Sequence, residues 1–132
     1  MRKLISIKST TENLRLVEKF VDEVYERYKF SDEIYGNILI ATMEAANNAI
    51  LHGNKNDEKK TVQIGLQKIK NDLELTIIDE GPGFDYKKVP DPTSPENIEK
   101  INGRGVFLME KLSDKIEFLQ NGSIVKLTFK LR

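Results

Sequence analysis

Apolar positions recur at spacings of three and four early in the chain and at spacings of two further on. Leu14, Val17, Val21, Val24 and Tyr28 share one side of a 3.6-residue period, which predicts an amphipathic helix. Ahead of it, Leu4-Ile5-Ser6-Ile7 reads as a short opening strand, and Ser9 with Glu12 fits a capping box. Ser31 is placed to cap a second helix whose first turn holds Asp32 and Glu33. That helix is expected to run to about His52 and stop near Gly53, where a left-handed residue costs little. Ile40, Met43, Ala46 and Ile50 give it an apolar face. Glu44, Asn48 and His52, at successive spacings of four, add a polar stripe.

After a polar connector, Lys55 to Lys60, alternation takes over. Val62, Ile64 and Leu66, then Leu73, Leu75 and Ile77, predict an antiparallel hairpin turned at Lys70-Asn71-Asp72. From Glu80 to Asn102 the periodicity fades, and this stretch holds all 4 prolines. Val106-Phe107-Leu108-Met109 with Leu112 predicts a short helix opening just after Gly105. Ile116 and Phe118 on one strand, and Val125, Leu127, Phe129 and Leu131 on the other, predict a closing hairpin turned at Asn121-Gly122. Helices grouped beside a mixed, mostly antiparallel sheet make an α+β two-layer sandwich with the helices on one face. On such an interface a carboxylate and an amide are costly unless something polar satisfies them, which turns the Glu44/Asn48 stripe from a solvated face into a candidate site.

Composition removes several function classes. At 132 residues, 39% hydrophobic and 32% charged, a single domain over residues 1–132 is expected. Lys plus Arg balances Asp plus Glu at 21 each, so no global field recruits nucleic acid or anionic lipid. The absence of cysteine excludes disulfides, thiolate metal sites and cysteine nucleophiles. No stretch reads as a signal peptide or approaches the roughly 20 apolar residues of a membrane helix, so a cytoplasmic protein without membrane or direct nucleic-acid contact is expected.

Three segments carry candidate chemistry: Glu44 to Gly53, Ile78-Asp79-Glu80-Gly81-Pro82-Gly83-Phe84-Asp85, and Asn102-Gly103-Arg104-Gly105-Val106-Phe107-Leu108-Met109. Neither glycine pair completes a dinucleotide fingerprint, because Tyr86 and Leu108 stand where a third glycine would fall. No Walker lysine-serine follows either. Together and in this order, however, Glu-x-x-x-Asn, Asp-x-Gly-x-Gly and Gly-x-Gly resemble the N, G1 and G2 boxes of the GHKL (histidine-kinase-like) ATPase superfamily. Length and wording are most similar to the bacterial anti-sigma factor serine kinases.

The resemblance implies an ATP-binding domain of that type, with Mg²⁺ held by the Asn48 amide oxygen, a hard ligand of the kind this ion takes. Asn47 stands beside it, and a register one residue off would exchange the two. Glu44, one turn earlier, is implied as the general base. Asp79 would accept from the adenine amino group and so reject guanine, while Gly81, Gly83 and Phe84 would border the base and ribose. Residues 85–102 would form a lid, and Gly103, Gly105, Val106 and Phe107 would receive the phosphates at a helix N-terminus. Arg104 fits a phosphate contact or a solvated loop arginine equally. Ser123 fits the family's small hydroxyl near the base or a plain turn residue. His52 fits a helix C-terminal residue favoured by the macrodipole, and the family often carries histidine there near the phosphates. Implied partners are ATP or ADP, a sigma factor, and a small anti-sigma factor antagonist of the STAS type whose serine takes the γ-phosphate. A homodimer is expected by analogy, through exposed positions of the first helix or strand. The alternative expectation is an ATP-gated binding module without phosphotransfer.

Overall fold

The computed structural model describes residues 2–81 and 101–131. Five strands and three α-helices follow one another along them: β1 (Arg2–Lys8), α1 (Leu14–Tyr28), α2 (Asp32–Asn48), β2 (Thr61–Ile69), β3 (Asp72–Ile78), α3 (Ile101–Leu112), β4 (Lys115–Leu119) and β5 (Ile124–Lys130). The strands lie in the order β1-β2-β3-β5-β4. All four pairings are antiparallel, so among the described residues the sheet is wholly antiparallel rather than mixed.

Alternation sets the two faces. Val62, Ile64, Leu66, Leu73, Leu75, Ile77, Val125, Leu127 and Phe129 all point into one core. The helices cover that face, giving the expected α+β two-layer sandwich. From α1 it receives Val17, Phe20, Val21 and Val24, each of them buried, and a fully buried side chain of this size is worth about 1.5–3 kcal/mol. From α2 it receives Ile38, Ala41, Thr42, Ala45 and Ala46. Of the expected face, Ala46 and Ile50 are buried and Met43 packs against the core, whereas Ile40 is 46% exposed. Since α2 packs against both α1 and α3, its alanines Ala41, Ala45 and Ala46 share the crowded side with Ile38. Ser31 caps α2 as expected, its hydroxyl accepting from the Ile34 N–H at 3.2 Å.

Three local expectations are corrected. Ser9 is not the cap of a capping box; a single 3₁₀ turn (Thr11–Asn13) precedes α1, and no side chain caps it. The Ser9 hydroxyl instead donates to the Lys60 carbonyl at 2.9 Å, a long-range partner that no local pattern contains. Gly53 is not a left-handed stop. After Asn48 the helix widens into a π turn, Ala49–Gly53, and ends at Asn54 with φ −92°. The closing hairpin turns through a 3₁₀ turn, Gln120–Gly122, rather than a two-residue Asn-Gly turn, with positive φ at Gln120 (51°) and Gly122 (90°).

Candidate functional site

Two members of the polar stripe, Asn48 and His52, face a cleft between the helices and the sheet. Asn48, His52 and Gly53 line it from the helix and its π turn, Ile77 and Asp79 from the end of β3, Met109 from α3, and Gly122 and Val125 from the last hairpin. Ala45 and Ala49 complete an apolar wall. A cleft of small and apolar residues with a few convergent polar groups is the form a small-molecule site takes.

The polar groups on this stripe lack partners. Among the described residues, five buried side-chain atoms have no hydrogen bond, and three are Glu44 Oε2, Asn48 Oδ1 and His52 Nε2. Leaving one such group unsatisfied costs about 1–3 kcal/mol, so three on one stripe point to a ligand that satisfies them. Asn48 is 8% exposed, whereas Asn47 is more open and does not line the cleft. Glu44 is half-buried, one turn from Asn48, and lies outside the cleft lining. Burial holds the His52 imidazole below its ordinary pKa.

Asp79 stands at the other wall. Its N–H donates to the Ser123 carbonyl at 2.9 Å, and its Oδ1 accepts from the Gly81 N–H at 2.8 Å. Burial raises its carboxyl pKa, against the lowering effects of the Gly81 N–H and the Lys60 charge. Two glycines make room for it. A Cβ on Gly53 would lie 2.3 Å from Asp79 Oδ2, and one on Gly81 would lie 1.8 Å from the Gly53 carbonyl oxygen. Gly53 is thus required by close approach rather than by backbone sign.

The third segment lies differently from the expectation. Helix α3 opens at Ile101, four residues ahead of Gly105, so Gly103, Arg104 and Gly105 are inside the helix rather than in a loop before it. Continuing the backbone hydrogen-bonding through both glycines outweighs their low helix propensity. Gly105 packs on the stripe, for a Cβ there would meet the Asn48 amide at 2.9 Å (Nδ2) and 3.1 Å (Oδ1). Val106 is buried in the core, and the Phe107 ring lies under the Lys111 ammonium at 5.7 Å. Neither lines the cleft. The Ser123 hydroxyl donates to the Gln120 carbonyl at 2.9 Å, as a turn residue's does. Gly83 and Phe84 lie outside the described residues, as does the expected lid except for its last two positions, which open α3.

A family model described as the histidine kinase-like ATPase domain matches residues 7–129. The chain belongs to the histidine kinase-like ATPase family. Among curated relatives it is similar to the serine-protein kinase RsbW of Oceanobacillus iheyensis, 33% identical over 100 residues, covering 71% of this chain and 63% of that protein. It is also similar to the serine-protein kinase RsbW of Bacillus subtilis, 26% identical over 125 residues, covering 90% of this chain and 78% of that protein. The crystal structure of the RsbU and RsbW domains of Rv1364c from Mycobacterium tuberculosis superposes with a TM-score of 0.72 at 17% identity. That match covers 99% of this chain and 32% of the other, and it shows the fold. No described helix is long and apolar enough to cross a membrane.

Sequence reasoning missed part of the site. Ile77, Met109 and Val125, expected only as apolar positions of a strand or helix, and Ala45 and Ala49, given no role of their own, all belong to the core and also wall the cleft. Asn54, Thr61 and Glu80, which tie the Asp79 segment to the end of α2, had no local signal beyond polarity.

Proposed function

We propose that this chain is an ATP-binding anti-sigma regulator that transfers the γ-phosphate of Mg-ATP to a serine of a small anti-sigma factor antagonist. The observation that carries the reading is the pair of unpartnered buried oxygens, Glu44 Oε2 and Asn48 Oδ1, one helical turn apart. The names of the curated relatives support the kinase assignment. The donor set fits the group. Asn48 offers a hard, neutral oxygen of the kind Mg²⁺ accepts, and when bound the ion supplies neutralisation of charge on the phosphate oxygens.

The roles of the chain's own residues follow. Asp79 Oδ2, unoccupied by the Gly81 N–H, accepts from the adenine amino group. The apolar wall of Ala45, Ala49, Ile77, Met109 and Val125 takes the faces of the base. Glu44 takes the proton from the attacking serine hydroxyl as its oxygen bonds to the γ-phosphorus and the bond to the β-phosphate oxygen breaks, leaving ADP. Gly103 and Arg104 belong to the first turn of α3, whose free N–H groups favour phosphate, and Gly105 follows directly. The released form then sequesters a sigma factor, and pairing of two copies accompanies that state.

The test is label transfer from γ-labelled ATP to a purified STAS-type antagonist, with Glu44→Gln beside wild type. The reading expects transfer by wild type and a loss of at least about a hundredfold in the variant, within the range that general base catalysis contributes, with ATP affinity retained. Equal transfer by both would refute the role of Glu44. ATP binding without transfer by either would favour a nucleotide-gated binding module.

A further inference from the structure

Asn54 follows the glycine that ends the π turn and is 1% exposed. Its N–H reaches back five residues to the Ala49 carbonyl at 2.8 Å, the hydrogen bond that closes the π turn. Its side-chain amide joins three stretches of chain. Nδ2 donates to Ser9 Oγ at 2.7 Å and to the Thr61 carbonyl at 2.9 Å. Oδ1 accepts from the Glu80 N–H at 2.7 Å. Ser9 is itself fixed, since its hydroxyl donates to the Lys60 carbonyl. The Glu80 carboxylate is fixed too, accepting from the Thr61 N–H at 2.5 Å and from the Thr61 hydroxyl at 3.1 Å.

This network surrounds Asp79. On one side the Ser123 carbonyl holds the Asp79 N–H. On the other, Asn54 Oδ1 holds the N–H of the peptide joining Asp79 to Glu80. With both flanking peptides fixed, the direction of the Asp79 side chain is set, and Gly81 then takes Oδ1 and leaves Oδ2 to the cleft. A buried amide with donors and acceptor all engaged is a rigid device, because any rotation breaks several bonds at once.

We propose that Asn54 is a positioning residue for nucleotide-base selection, acting through Asp79, with Ser9 as its support. The inference rests on the ATP reading above. It predicts that Asn54 governs discrimination between bases rather than nucleotide affinity in general, because among the described residues the only site group its side chain orients is the carboxylate proposed to meet the 6-position of the base.

The experiment is calorimetric titration of the full chain with ATP and with inosine triphosphate, which carries an acceptor where ATP carries an amino donor. Wild type is expected to prefer ATP by about tenfold or more, the value of a hydrogen bond to a charged group. In Asn54→Ala the preference is expected to fall to within about threefold, with inosine triphosphate affinity changed by less than about twofold. Asp79→Asn supplies the floor of discrimination. Asn54→Ala that weakens both nucleotides equally and keeps the wild-type ratio would overturn the proposal, since purely structural damage acts that way. Should Asn54→Ala fail to fold, Ser9→Ala removes one acceptor of the amide while leaving the Glu80 contact. A lowered ratio in that variant supports the proposal, and an unchanged one overturns it. A wild type without preference would instead overturn the base reading of Asp79, and the role of Asn54 with it.

Discussion

Gly53→Ala is the sharpest single perturbation of the site, and Gly36→Ala on the same helix is its control. A methyl on Gly53 would stand 2.3 Å from Asp79 Oδ2 and 2.4 Å from its Cγ, against ordinary contact at 3.4 Å or more. The carboxylate must therefore retreat by about 1 Å, and the Gly53 side cannot yield easily because Gly81 already abuts its carbonyl. Retreat breaks the bond from the Gly81 N–H to Oδ1, worth about 1.5–3 kcal/mol for a charged acceptor. Alanine returns up to about 1 kcal/mol in helix propensity, and the negative φ at Gly53 raises no objection to it. The net loss is about 1–2 kcal/mol, or about 3–10 °C in Tm for a chain of this size. ATP affinity should fall about ten- to a hundredfold as the base loses its acceptor. At Gly36 nothing lies within 4 Å of an added Cβ, so alanine there should stabilise by about 0.5–1 kcal/mol and leave binding unchanged. Thermal melts and calorimetric titration of both variants decide the matter. A Gly53→Ala protein that gains stability as Gly36→Ala does, or binds ATP as wild type does, would refute the crowding argument.

Other outcomes follow from the same geometry. Asp79→Asn should raise the Tm of the nucleotide-free protein at pH 7 while ATP no longer raises it further. Burial lifts this carboxyl's pKa, so its stabilising protonated form is lost as pH rises through the folded value, and asparagine restores a neutral group. Gly105→Ala should push the Asn48 amide from its place, and titrations with and without Mg²⁺ should show the metal-dependent part of ATP binding shrinking more than the rest. The His52 imidazole is depressed by burial, so the unfolded chain takes up its proton first. Denaturant melts should therefore lose stability as pH falls below about 6.5, less steeply in His52→Asn.

The readable parts of this fold are those whose cause is local. The Ser31 cap, the period of Leu14 to Tyr28 and the alternation of Val62 to Ile77 all act through residues within a few positions of one another. Each is found near its expected place. Ser9 misled because its hydroxyl is claimed by Lys60, far along the chain. Gly53 misled because a glycine can serve a backbone angle or a close neighbour, and only the position of Asp79 tells which. Two glycines hid the first turn of α3, and Asn121-Gly122 suggested a tighter turn than the sheet uses. In the site, the stripe Glu44-Asn48-His52 was visible through its spacing. The apolar wall was not, because alanine and valine facing a cleft look the same in sequence as alanine and valine facing a core.

Strand β3, which delivers Asp79, is the middle strand of five. Its amides and carbonyls are engaged by β2 on one side and β5 on the other, so this stretch cannot loosen without dismantling the sheet. On the ATP reading, the group proposed to read the base stands on the part of the sheet least able to drift under mutation. On the same reading, a different base preference is therefore reached through side chains around Asp79 rather than through the backbone of that strand. The α3 end of the cleft lies outside the sheet, so backbone changes there carry no such penalty.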